Sequence, residues 1–139
     1  MQGDVSYLFD AIPSSEIDEA LRMDYEDAKS TAVPVPVRDV KRLYFRSEKA
    51  FVRYISSVTV KLPAFKVVVP SSAGVGSIYY VVEVIDPYDG EVIAFFRGTY
   101  GYYGEGCHQS AFVEKALRRL GIPLEVRDGD YLLSLLRIV

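Results

Sequence analysis

Residues 78–97 read IYYVVEVIDPYDGEVIAFFR, and this stretch decides the fold. Two runs rich in Val, Ile, Tyr and Phe, 78–85 and 91–97, flank the turn-forming cluster Asp86-Pro87-Tyr88-Asp89-Gly90. β-branched and aromatic residues favour a half-buried pleated surface, and an Asp/Pro/Gly cluster between two such runs predicts a β-hairpin. Further upstream the apolar positions also recur every second residue. Val58, Val60 and Leu62 alternate with Thr59 and Lys61, and the phase restarts at Phe65, Val67 and Val69 after Pro63. A proline at that step predicts a bulge or break in an edge strand.

Downstream the period changes. At roughly 100° per residue, Phe112, Val113, Ala116, Leu117 and Leu120 gather on one face of a helix over 105–120. Gly121-Ile122-Pro123 ends it, with Arg118 and Arg119 in the last turn, where bases suit the dipole. A short strand at 124–126 is expected next. A last helix over 129–138 would then set Leu132, Leu135, Leu136 and Val139 on one face.

The N-terminal third reads differently. VSYLFDAI at 5–12 is an apolar docking segment, and Pro13-Ser14-Ser15 opens a helix with Ser15 as N-cap. Ile17, Leu21, Tyr25 and Ala28 form a thin apolar stripe, so that helix needs something larger to pack on. STAVPVPV at 30–37 reads as a linker of polyproline character. A helix over 47–57 turns Phe51 and Ile55 inward, while 38–46 either joins it or forms a strand.

The expectation is one α+β domain, with an antiparallel sheet around a central β-hairpin and helices packed mainly on one face. Residues 1–37 form an acidic helical arm and linker, and residues 38–139 the α+β domain.

Composition bounds the function. The 139 residues are half hydrophobic, enough for a core without staples, and a mean hydropathy of +0.11 excludes wholesale disorder. Apolar runs are too short for a transmembrane helix. The acidic N-terminus MQGDVSYLFD does not read as a signal peptide, so a cytoplasmic protein is expected. One Cys and one His exclude an internal disulfide framework and a conventional structural zinc site within one chain. No cofactor motif is present. Asn is absent and Gln occurs only at 2 and 109, a bias that favours a thermophilic source.

The net charge of −3 hides an asymmetry. Residues 1–30 hold eight acids against two bases, or −6, and residues 38–66 hold eight bases against two acids, or +6. Either these segments lie against each other, within or between subunits, or the basic one meets nucleic acid. In the second case Tyr44, Phe45, Phe51 and Tyr54 would be interleaved for base stacking. A pI near 5.2 argues against strong nonspecific DNA binding.

Two small-residue loops converge if the hairpin forms. One is Pro70–Ser77, with Ser71, Ser72, Gly74 and Gly76; the other is Gly98–Gly106, with Tyr100, Gly101, Tyr102, Gly104 and Gly106. The second also delivers the N-terminus of the 105–120 helix to that end. Free backbone N–H groups, hydroxyls and glycines there predict an anion cradle, with tyrosines to stack on a base or sugar. The glycine spacing matches neither a P-loop nor a dinucleotide fingerprint. Lys115 and Arg119 would add positive charge.

Cys107 in the first helical turn is a candidate nucleophile, though Cys107 and His108 diverge as consecutive helical residues. His108 is the candidate general acid or base, with Glu105 or Tyr102 as partner.

Three functions follow. The leading one is a binding module for a phosphate-bearing ligand, a nucleotide or nucleic-acid segment. The second is a structural or regulatory protein working through protein contacts and homo-oligomers, a symmetric dimer being the commonest form. The third is a metal-independent phosphodiesterase or nuclease built on His108.

Overall fold

Alternating Val, Tyr and Phe residues build the sheet. In the computed structural model, which describes residues 5–37, 40–58, 64–70, 78–100 and 105–128, six strands are ordered β1-β2-β5-β4-β3-β6. They are β1 Val33–Val37, β2 Val40–Phe45, β3 Ala64–Pro70, β4 Ile78–Ile85, β5 Val92–Tyr100 and β6 Leu124–Asp128. Four helices accompany them: α1 Ser14–Leu21, α2 Tyr25–Ser30, α3 Glu48–Val58 and α4 Glu105–Arg119, after a 3-10 turn at Ser6–Ala11. The class is α+β. The sheet is mixed rather than purely antiparallel, because β2 runs parallel to β5 and β6 parallel to β3. A helix intervenes in each case: α3 lies between β2 and β3, and α4 carries the chain from β5 to β6. Such crossovers are what parallel neighbours need, and the sequence pattern leaves their partners unspecified.

β4 and β5 pair antiparallel from Ile78↔Tyr100 to Ile85↔Val92, with a bulge between Val84 and Ile85. Aspartates close the turn joining them. Asp86 Oδ1 accepts from Tyr88 N at 2.8 Å and Asp89 Oδ1 from Glu91 N at 2.9 Å, while Gly90 takes the left-handed φ of 73°.

Period-two alternation sends Tyr80, Val82, Val84, Ala94 and Phe96 to one face of the sheet, where they share a core with Phe51, Ile55, Phe112, Val113 and Leu117 of α3 and α4. Val35, Tyr44, Phe65, Val67, Val81, Ile85, Val92 and Phe95 form a second cluster on the other face. Apart from Cys107, every buried residue of the described helices belongs to the first cluster or is polar.

Four local expectations are corrected. The stripe Ile17–Ala28 is two helices, broken at Arg22–Asp24, where Asp24 caps α2 by accepting from Asp27 N at 3.0 Å. Pro13, not Ser15, is the N-cap of α1. Residues 33–37 are not a linker but the edge strand β1, paired antiparallel to β2. Extended polyproline and β dihedrals are close, so VPVPV can join a ladder if its prolines turn their donor-less nitrogens away from β2. Val58 ends α3 rather than opening a strand; the strand positions 59–63 and the helix expected at 129–138 lie outside the described residues.

The N-terminal segment belongs to the core. Val5, Ile12, Ile17, Ala20 and Ala28 are at most 1% exposed and lie in the cluster of Phe45 and Phe51. Ile12 and Ile17 alone contribute roughly 1.5–3 kcal/mol each by leaving water. Gly121, with φ 73°, stops α4: its N–H donates to Arg118 O at 3.1 Å and the Ile122 N–H to Leu117 O at 3.0 Å.

Candidate functional site

One end of the sheet gathers most of the chain's distinctive residues. Val69↔Tyr79↔Thr99 and Pro70↔Ile78↔Tyr100 are successive rows across β3, β4 and β5. The stretches 71–77 and 101–104 therefore attach at the same end of the sheet. β2 runs parallel to β5 toward that end and stops at Phe45, opposite Phe96. α3 and α4 both begin within five residues of their strand ends. Ser47 Oγ caps α3 by accepting from Ala50 N at 3.1 Å.

Packing, rather than an open cradle, accounts for two of the glycines. β5 extends to Tyr100, so Gly98 is a strand residue, and a Cβ there would overlap the Ser110 hydroxyl of α4. That hydroxyl accepts from Thr99 N at 3.1 Å and lies 2.9 Å from Gly106 O, stitching α4 to β5. A Cβ at Gly106 would collide with the Thr99 side chain. Both glycines let helix and strand approach closely.

The remaining candidates separate by place. Ser71, Ser72, Gly74, Gly76, Gly101, Tyr102 and Gly104 lie outside the described residues. Tyr100 ends β5, and Glu105 opens α4. Cys107 is fully buried, with Sγ 3.7 Å from Thr99 Oγ1, a core position and not an accessible nucleophile. His108 is exposed. Lys115 and Arg119 serve the N-terminal segment: Lys115 Nζ donates to Phe9 O at 2.8 Å and Ile12 O at 2.6 Å, while Arg119 reaches Ser14 O at 3.3 Å and pairs with Asp18. These two cations are therefore engaged away from the loop end. Arg53 likewise donates to Met23 O at 2.6 Å and lies over the Tyr25 ring.

The four aromatics expected to stack on bases are core residues. Tyr44, Phe45, Phe51 and Tyr54 are 8%, 0%, 0% and 5% exposed. Phe45 packs on Phe51 and Tyr54 with ring centres 5.6 and 5.0 Å apart. Burial, followed by the neighbouring Tyr25, raises the Tyr54 hydroxyl pKa above its ordinary 10.0.

Two charged arrangements emerge only in three dimensions. On the face of the second cluster, Arg97 lies over the Tyr79 ring at 5.1 Å and Arg46 over Tyr44 at 5.8 Å. Hairpin alternation places Arg97 and Tyr79 on one face of the sheet. The second arrangement is buried. Glu114 of α4 accepts from Tyr80 Oη at 3.1 Å and pairs with Lys66 at 3.1 Å and Arg118 at 3.3 Å, its own side chain wholly enclosed. Arg118 also borders a cavity of about 370 Å³ with Ile122, Pro123 and Leu124. That cavity is at the other end of the sheet, where Leu124 pairs with Ala64.

Among the described residues no cluster of three or more His, Cys, Asp or Glu is placed to hold a metal, and no helix is long and apolar enough to cross a membrane. No protein-family model, no curated protein and no solved structure matches the chain.

Proposed function

We propose that the chain is a small binding module for a phosphate-bearing ligand, a nucleotide or a nucleic-acid segment, held at the sheet end where β3 and β5 finish and β4 begins. One observation carries the reading: Pro70, Ile78 and Tyr100 lie in a single row, so the Ser/Gly-rich stretch 71–77 and the Gly/Tyr-rich stretch 101–104 share one end of the sheet. Hydroxyls and backbone N–H groups presented together suit phosphate oxygens. His108 is exposed and supplies a further donor in the first turns of α4.

The rival readings have less behind them. The acidic N-terminal segment packs Ile17, Ala20 and Ala28 into this chain's own core, so a partner contact through it would use its exposed Asp10, Glu19, Asp24, Glu26 and Asp27. A phosphodiesterase would rest on His108 with Glu105 or Tyr102, since Cys107 is buried and Lys115 and Arg119 are committed elsewhere.

Native mass spectrometry of the purified chain with added ADP or a ten-nucleotide oligothymidylate tests the proposal. A retained adduct, lost in a Gly101→Val and Gly104→Val double variant, is expected. Gly106 is left intact because a side chain there would strike Thr99. No adduct with either ligand, and no binding by calorimetry at millimolar ADP, would overturn it.

A further inference from the structure

We infer that residues 129–139 are the layer that covers the sheet face opposite α3 and α4, seating Leu132, Leu135, Leu136 and Val139 on the second cluster.

The burial of that face carries the inference. Phe65, Val67, Val81 and Phe95 are at most 4% exposed, and Glu83 among them is wholly enclosed. Side chains on a bare sheet face stand perpendicular to it with their tips in water, so enclosure this complete needs a second layer of chain. The described helices do not supply one. α3 and α4 pack through Phe51, Ile55, Phe112 and Leu117 on the first cluster, where Ile17 of α1 and Ala28 of α2 also lie. The arginines do not supply one either. Arg97 lies over Tyr79, four residues along β4 from Glu83, and Arg46 over Tyr44, two strands away in the row Glu83↔Phe95↔Tyr44. Neither roofs Glu83 and its neighbour Phe65. The enclosure is complete in a single chain, so the layer is drawn from this chain and not from a second copy.

Length and composition select the segment. The stretches 1–4, 38–39, 59–63, 71–77 and 101–104 hold seven residues at most, and all but the first are tied at both ends to neighbouring elements. Residues 1–4 lead into Val5, which belongs to the first cluster. Residues 129–139 number eleven, six of them Leu, Ile or Val.

They also start in the right place. β6 lies parallel to β3 with Asp128 opposite Val68, at the edge of the strand that carries Phe65 and Val67. A helix over 129–138 is about 15 Å long, roughly three strand spacings of about 4.8 Å, so it reaches from β6 over β3 and β4 to β5. Its apolar stripe faces one way, while Asp130, Ser134 and Arg137 fall on the opposite side, as a helix wet on its outer face requires. Glu125, next to Phe65 in the row, is exposed, so the covered area begins at β3.

Nuclear Overhauser spectra of the methyl groups and rings of the full chain test the inference. Cross-peaks from the Leu132, Leu135, Leu136 and Val139 methyls to the Val67 and Val81 methyls and the Phe95 ring are expected. In a mixture of isotope-labelled and unlabelled chains, filtered spectra should show them to be intramolecular. Leu135→Ser with Leu136→Ser is expected to raise binding of the dye ANS several-fold and to shift the Val67 and Val81 methyls, with Val82 and Val113 of the first cluster little changed. Wild-type spectra that show Val67–Val81 cross-peaks but none from 132–139 to this cluster would overturn the inference. Cross-peaks found only between chains would overturn it too and assign the face to a second copy. Should the double variant unfold, the wild-type cross-peaks decide.

Discussion

Replacing Glu114 by Gln removes one charge and almost no volume, yet it should be among the most damaging single changes. The carboxylate is fully enclosed and meets Lys66 Nζ and the Tyr80 hydroxyl at 3.1 Å each, while Lys66 itself is only 13% exposed. Once Glu114 is neutral, the Lys66 ammonium is left buried without its counter-charge, a loss of about 3–5 kcal/mol. Arg118 adds little to this figure, because its side chain is 60% exposed and its pairing is solvent-screened. Lys66→Met should cost a similar amount by stranding the carboxylate. The double variant, with neither charge, should lie within about 1 kcal/mol of wild type, because desolvation and attraction nearly cancel in a buried pair. Urea unfolding of the four proteins measures the cycle. In a domain of this length each single variant should also melt on the order of 10 °C lower. Simple additivity of the two losses, or a Glu114→Gln cost below about 1 kcal/mol, would refute the view that Glu114 and Lys66 are a mutually dependent buried pair.

Other expectations follow from the same packing. Gly98→Ala pushes the Ser110 hydroxyl off Thr99 and Gly106, and should cost about 2–4 kcal/mol in urea unfolding; a loss under about 0.5 kcal/mol would show that α4 shifts freely. Because Tyr54 holds its proton above the ordinary 10.0, the folded chain binds more protons than the unfolded one at high pH. Stability should be unaffected below pH 10.0 and fall as pH rises through the raised folded value, a slope that Tyr54→Phe removes in urea melts at graded pH. Lys115→Met withdraws the ammonium that holds the Phe9 and Ile12 carbonyls, so limited proteolysis should cut within residues 5–13 several-fold faster, without faster cleavage in the sheet. Pro34→Ala with Pro36→Ala restores donors to the outer side of β1, and light scattering should report more self-association than in wild type.

The alternation of residues 78–97 and the 3.6-residue period of 105–120 are local properties, so β4, most of β5 and α4 are legible in the amino-acid order itself. So is the stop at Gly121, where a positive φ is needed. The N-terminal third misleads for equally local reasons. A polyproline-like strand has no apolar period of its own that separates it from a linker, and two short helices share one stripe. Asp24–Tyr25 does not differ in kind from a turn until its helix has something to pack on, whereas the helix expected over 47–57 is found at Glu48–Val58.

The candidate site divides in the same way. Glycine- and serine-rich stretches stand out in a sequence, and strand pairing alone puts their ends at one sheet end. Whether a glycine serves a ligand or a neighbour is not written locally; Gly98 and Gly106 prove to be the clearance between β5 and α4. Helical spacing shows Lys115 and Arg119 on a common strip, but what they meet comes from about a hundred residues away.

Sequence by itself determined the α+β class, the hydrophobic periods, and the clustering of small polar residues on either side of residues 78–97, because these depend on neighbours within a few positions. Tertiary structure alone decided the mixed strand order, the enclosure of Glu114 beside Lys66, and the engagement of Lys115 by the Phe9 and Ile12 carbonyls. Each of those joins residues distant along the chain, and their energies depend on burial and mutual approach that no local pattern encodes.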